Sequence, residues 1–435
     1  MKINISLLLI LIGGFCALPA QALVKVDTND PEYSPISIAI TNFASLDALG
    51  SKVSGVIARD LQNSDVFSQI PQSSFGKQIT PPESVPRFED WESIGSKALV
   101  MGRVVKEGRN RLRTEYRLWD IKGRRQISGK KFFAIPEDWR RIAHIISDEI
   151  HQSVTGEKGY FNTRILFVSE AIIAGVKKRS LCVIDQDGFN IRFLAPYSDQ
   201  IIMSPRFSPN QQKIVYESYD NEGLLKVYLM NAMVEKEPKR VGNFRGIVFS
   251  PRFSPKGNRV VVSVQKEQAV DIYEVDVYSN EAKRLTNTLS VNVSASYSPD
   301  SSRIIFESDR GGNHQLYVMK SDGSGQQRIS RDQEASYFDP SWSPKGDLVV
   351  FSKVSKGEFS IGIMNSDGSK ERILVTDSHL QSPMWSPNGR FVMFLLKKAG
   401  DIGSKIYSID LNGRNKRLIN TPAYASGPQW LETLD

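Results

Sequence analysis

The chain has 435 residues, a formal charge of +8, 40% hydrophobic and 24% charged residues, and two cysteines. This composition excludes a disordered or collagen-like chain and leaves room for two or three globular domains. The positive balance is small against 48 acidic residues, which excludes nucleic acid as the expected partner.

At the start, Lys2 supplies a positive flank, residues 5–12 an apolar core, and Ala20-Gln21-Ala22 the small-x-small pattern of a cleaved leader. Cleavage is expected between Ala22 and Leu23, making residues 1–22 a signal peptide. The apolar run is far shorter than the roughly 20 residues a membrane span needs. Phe15 before Cys16 is too bulky for a lipidation signal, and no later stretch is apolar enough to span. With Cys16 removed, Cys182 is left as the sole thiol of an exported chain, with no partner for an internal disulfide.

Residues 23–33 form an extended segment: Leu23, Val24, Lys25 and Val26 alternate in character before the run ends at Pro31. Such a segment is either a docked edge strand or a strand offered to a partner. Residues 34–157 read as a small α/β domain. Its predicted elements are a strand at 36–40, a helix at 46–61, strands at 99–105, 112–119 and 126–133, and a helix opened by Pro136-Glu137 with Ile142, Ile145, Ile146 and Ile150 on one face.

From residue 160 to 435 the chain repeats itself. An aromatic followed by Ser-Pro recurs at Phe207, Phe253, Tyr297, Trp342 and Trp385, and a further step reaches Trp430. A β-branched run follows each Ser-Pro, with another copy at 164–169 that lacks its own Ser-Pro. A third apolar run also appears in six copies, the first around Cys182 and the last around Tyr407. Asp-Gly pairs at Asp187, Asp322 and Asp367 mark tight turns. Four short strands in every 40 to 50 residues is the signature of a propeller. The expected fold is therefore mainly β: a six-bladed β-propeller closed by the C-terminal strand, preceded by the small α/β domain. Strand alternation puts the Ser-Pro and Asp-Gly turns on one face. Longer, individual loops are expected on the other, the place where binding usually resides.

Catalytic signals are missing from the sequence. There is no Gly-x-Ser-x-Gly nucleophile elbow, and His144, His151, His314 and His379 have no ligand cluster in the pattern. Asp185, Asp187 and Asn190 read as a turn rather than a calcium loop. No catalytic, cofactor or metal residues are expected. The basic clusters 109–113, 122–125 and 140–141 read as a solvated face, or as one meeting anionic lipid.

Taken together, the repeats, the leader and the α/β domain resemble the TolB family of the periplasmic Tol-Pal envelope system. The resemblance covers the whole mature chain and is carried by Met203-Ser204-Pro205-Arg206-Phe207-Ser208-Pro209 and Phe306-Glu307-Ser308-Asp309-Arg310-Gly311-Gly312. It implies that the propeller binds the outer-membrane lipoprotein Pal and that the mature N-terminus binds TolA of the inner membrane, supporting outer-membrane invagination in division and envelope integrity. By position, the implied TolA-binding residues are Leu23, Val24, Lys25, Val26, Asp27, Thr28, Asn29 and Asp30. The implied Pal-binding residues are Ser204, Arg206, Ile247, Ser250, Arg252, Val293, Ser294 and Asp339. Ile247 and Val293 depart from the family by being apolar where some relatives are polar. The rival reading is a propeller hydrolase or carbohydrate-binding module with its site at the channel mouth.

Overall fold

The computed structural model describes residues 34–76, 81–232 and 237–432, so the expected leader and the segment 23–33 lie outside the described residues. Two compact units divide the chain between Asn162 and Thr163.

The first unit is built on a five-stranded sheet in the order Phe67–Gln69, Ile36–Ile40, Ala98–Lys106, Leu112–Asp120, Arg125–Ala134. Strand Ile36–Ile40 runs parallel to both its neighbours, and the remaining pairs are antiparallel. In Leu112–Asp120 every second residue from Leu112 to Leu118 is buried, the period of a strand with one face on a core. Helices Leu49–Gln62 and Trp139–Thr155 pack on one another. The second of these starts later than the sequence suggests, because Pro136–Asp138 forms a separate 3-10 turn. It ends at Gly156, whose left-handed conformation (φ 76°) lets its N–H bond to Gln152 O. Sequence reading missed Phe67–Gln69 and the helix Phe88–Ser93, both too short to show a period.

The second unit is the propeller. It comprises six four-stranded antiparallel sheets. Five use consecutive strands, beginning with inner strands Met203–Phe207, Val248–Phe253, Asn292–Tyr297, Ser336–Trp342 and Leu380–Trp385. The sixth is composite: the C-terminal strand Tyr424–Glu432 pairs antiparallel with Thr163–Ile173, the first strand of the unit. Each inner strand contacts the inner strands on either side, so the ring is closed.

The β-branched runs are continuous rather than alternating because both faces of each blade are buried against neighbouring blades. In the second blade Val260 and Val262 join Val215, Val227 and Val248 in one cluster, while Val261 joins Ile304 and Phe306 in the next. The Ser-Pro motif has a definite cause. The hydroxyl oxygens of Ser208, Ser254, Ser298, Ser343 and Ser386 accept the backbone N–H of the residue opening the second strand, at 2.9–3.2 Å. Each of these hydroxyls also donates to an Asn or Asp in its turn. Only a small group that both donates and accepts fits, and the proline presets φ for the turn that follows. In the composite blade no turn is needed at this point, and there Leu431 follows the aromatic Trp430.

Several connections expected to be long variable loops are tight hairpins. Strands Arg259–Lys266 and Ala269–Asp276 are joined by Glu267 and Gln268, and Leu348–Ser355 and Glu358–Asn365 by Lys356 and Gly357. The polar composition that suggested loops belongs to the projecting ends of paired strands.

Trp430 is 6% exposed and its indole N–H donates to Thr163 Oγ1 at 2.8 Å, across the seam. Trp430→Ala is expected to cost about 3–5 kcal/mol, read as a lowered urea midpoint. Deleting residues 424–435 is expected to abolish the cooperative transition altogether.

Candidate protein-binding face of the propeller

Inner strands start on the face opposite the Ser-Pro turns, and all six contain the same irregularity there. In every blade the pairing of inner and second strands shifts register at one point. At that point Ser204, Ser250, Ser294, Asp339, Ser382 and Gly427 have φ between 46° and 57°. These are β-bulges with a left-handed residue. Five of the six are followed by proline, at 205, 251, 340, 383 and 428, and the sixth by Ala295. Proline fits because the bulge leaves that position without a ladder N–H to supply. At the seam glycine is required: a β carbon on Gly427 would lie 2.9 Å from Pro205 Cδ and 3.0 Å from Ser204 N.

Carboxylates and an amide tie the bulges together from blade to blade. Glu217 Oε1 accepts the N–H of Ser250 at 2.8 Å, and Asp339 Oδ2 accepts that of Ser382 at 3.0 Å. Gln429 Oε1 accepts the N–H of Phe207 at 2.7 Å across the closing seam. Glu307 accepts the N–H of Asp339 and lies 2.7 Å from His314 Nδ1. Arg206, 4% exposed, donates from Nη1 to the carbonyls of Pro205 at 2.7 Å and Gly427 at 2.9 Å. Arg252 donates to Pro251 O at 3.3 Å. Burial pushes the Glu217 carboxyl above the usual range, opposed by the Ser250 N–H, the Ser204 hydroxyl and the two arginines. Burial also pushes Glu307 upward, while its hydrogen bond holds the His314 imidazolium above the ordinary histidine range.

A second repeated device fixes the segments that lead into the bulges. In four blades one polar residue near the start of the third strand bonds to the connection that leads to the next inner strand. Lys226, 3% exposed, donates to the carbonyls of Phe244, Arg245 and Gly246 at 2.5–3.1 Å. Gln315 donates to Ala335 O at 2.8 Å, and Asp271 accepts from Thr286 Oγ1 at 2.8 Å. Ser180 donates to Ala195 O.

The eight propeller positions taken from the sequence thus converge on one face, but they differ in access. Arg206 and Val293 are buried, whereas Ser204, Ile247, Ser250, Arg252, Ser294 and Asp339 are partly exposed. Arg206 therefore acts first on the ring itself. Leu23 through Asp30, and the Ala22 cleavage position, lie outside the described residues. Sequence reasoning missed Glu217, Glu307, His314 and Lys226. The available signal was an acidic residue within an otherwise buried strand run, present twice as aromatic-Glu-Ser at Tyr216 and Phe306.

His144 Nδ1 lies 2.7 Å from Asp60 Oδ2, both side chains 2% exposed. Asn190 donates to Asp185 at 2.7 Å, closing a turn. Much of the basic sheet face is paired within itself, as in Arg113 with Glu107 and Glu115 and Arg125 with Asp120.

Fold and face together define a six-bladed propeller joined to an α/β domain, with a rigid ring of bulges as its distinctive surface. Residues 151–434 match the family model of the TolB beta propeller domain, and residues 24–127 that of the TolB amino-terminal domain. The chain belongs to the TolB family. The crystal structure of TolB from Acinetobacter baumannii is similar with a TM-score of 0.80 at 23% identity, over 92% of this chain and 97% of that one. The structure of a putative TolB from Agrobacterium tumefaciens gives 0.49 at 20% identity, over 61% and 91%. Hydrazine synthase from Kuenenia stuttgartiensis gives 0.50 at 14% identity, over 62% and 46%. At 23% identity the likeness to the Acinetobacter structure shows the fold alone. Among the described residues no helix is long and apolar enough to cross a membrane.

Two outcomes follow from the ring. Arg206→Ala is expected to lower unfolding free energy by about 1–3 kcal/mol, since it leaves the buried carbonyls of Pro205 and Gly427 without their donor and takes one of two guanidinium groups from beside Glu217; chemical denaturation measures it. The His314 interaction contributes stability that is fully present below the unfolded histidine pKa of about 6.5 and is lost as pH rises through the higher folded value. In Glu307→Gln the His314 ring resonance is expected to titrate at lower pH than in the parent, read by NMR.

Proposed function

We propose that this chain is a non-enzymatic, periplasmic adaptor of the Tol-Pal system. Its bulge face binds the outer-membrane lipoprotein Pal, and residues 23–30 bind TolA of the inner membrane. Through these contacts it supports outer-membrane invagination during division and envelope integrity. The observation that carries the reading is the ring of six bulges tied blade to blade by Glu217, Asp339 and Gln429, in a chain whose two halves both match TolB family models. Rigidity at such a surface favours recognition, because little ordering entropy remains to be lost on binding. Asp339, the channel-mouth carboxylate a hydrolase reading would use, is engaged with a backbone N–H, which favours the adaptor.

Ser204, Ile247, Ser250, Arg252, Ser294 and Asp339 are the accessible contacts assigned to Pal, with the buried Arg206 and Val293 supporting the same surface. Deleting residues 23–30 is expected to leave the melting transition and Pal capture unchanged while abolishing TolA capture in a crosslinking pull-down. Equal TolA recovery by both proteins counts against the assignment.

A further inference from the structure

The composite blade carries the longest hairpin of the propeller among the described residues, formed by Thr163–Ile173 and Val176–Asp185. Its inner-strand neighbour ends its pairing at Glu170, opposite Tyr424, whereas Ala171, Ile172 and Ile173 pair only with Lys178, Lys177 and Val176. The tip therefore projects by three residue pairs, about 10 Å at the usual rise per residue. Ala174 and Gly175, with φ of 51° and 78°, close it as a tight two-residue turn, so the tip is preorganised. By strand alternation it points out of the bulge face.

The chemistry of this tip is unusual for a solvated loop. Ile172, Ile173 and Val176 are 55%, 40% and 50% exposed. Immediately behind them stand Lys177, Lys178 and Arg179, against the acids Glu170 and Asp199. Three cations against two anions leave a positive collar below an aliphatic cap. On the neighbouring blade Ile402 is 66% exposed, in a loop held beside the same blade by the Ala425 N–H donating to Ser404 O at 2.8 Å.

We propose that this hairpin is a lipid-contacting finger that seats its aliphatic tip in the interfacial region of an anionic phospholipid bilayer, with the lysine collar at the phosphates. Three observations favour lipid over a protein groove. The tip has only aliphatic side chains and none of the Trp, Tyr or Arg that dominate protein hot spots. Its projection matches the roughly 5–10 Å to which interfacial elements sink. Its collar has the sign that anionic headgroups attract. The inference stands independently of the partner assignments above.

The test uses the chain from Leu23 to Asp435, without the apolar leader that would itself bind lipid. Cosedimentation with phosphatidylglycerol-containing vesicles is expected to exceed that with pure phosphatidylcholine. The triple substitution Ile172→Ser, Ile173→Ser, Val176→Ser is expected to weaken binding at least tenfold with an unchanged melting transition, and Lys177→Gln with Lys178→Gln to remove the preference for anionic lipid. In a separate Ile173→Cys protein, a polarity-sensitive label attaches only at the tip, because Cys182 is buried. Its emission is expected to shift to the blue on vesicle addition. The proposal is overturned if the parent does not sediment with anionic vesicles, if the triple variant binds them equally, or if the label does not shift. It is overturned equally if the triple variant loses capture of a protein partner while vesicle binding is unchanged.

Discussion

Antiparallel pairing between Tyr424–Glu432 and Thr163–Ile173 is the interaction on which the rest of the propeller depends. Every other blade is assembled from consecutive strands and needs only local hairpins. The composite blade joins the two ends of a unit about 270 residues long, and through it each blade acquires neighbours on both faces. Without that seam the first and last sheets would expose edges and apolar faces. The continuous valine and isoleucine runs make sense only once the ring is complete, because a blade with one solvated face would alternate.

Closure also explains why charge is buried around the axis. Bringing six inner strands together crowds backbone groups that the bulges have released from their ladders. Glu217, Glu307, Asp339 and Gln429 supply acceptors for the freed N–H groups, and Arg206 supplies donors for the carbonyls of Pro205 and Gly427. A buried carboxylate is costly in isolation but tolerable where N–H groups and guanidinium surround it. The left-handed serines are strained by roughly a kilocalorie each, and the closed ring holds them there. Strain, buried charge and closure thus belong to one arrangement, which gives the bulge face a fixed shape.

Much of the architecture was legible because repetition multiplies weak signals. A single Ser-Pro after an aromatic means little, but five at near-constant spacing fix the blade, and Trp430 at the right distance, followed by no Ser-Pro, foretells the seam. The hydroxyl of each repeated serine has one geometric task, so the residue recurs. What stayed illegible was contact between blades. Lys226 drew no notice in the sequence, yet it caps three consecutive carbonyls of the neighbouring segment. Arg206 looked available to a partner, yet it is buried and donates to Pro205 O and to Gly427 O of the adjacent blade. Both depend on which residues face one another across the ring, and no local pattern encodes that. In the first unit, Phe67–Gln69 was missed because three residues cannot display a period, and its place in the sheet is set by its parallel neighbour.

The seam also carries a kinetic consequence. Trp430 and Thr163 are 267 positions apart, so the contact that completes the wheel is among the last of the propeller that a growing chain can form. The entropic penalty of closing so long a loop rises only slowly with length, but topologies dominated by distant pairings fold slowly and leave sticky edges open meanwhile. Until Tyr424–Glu432 has been made, the propeller is an open fan of sheets, and whatever holds such a chain during synthesis has to protect both rims at once.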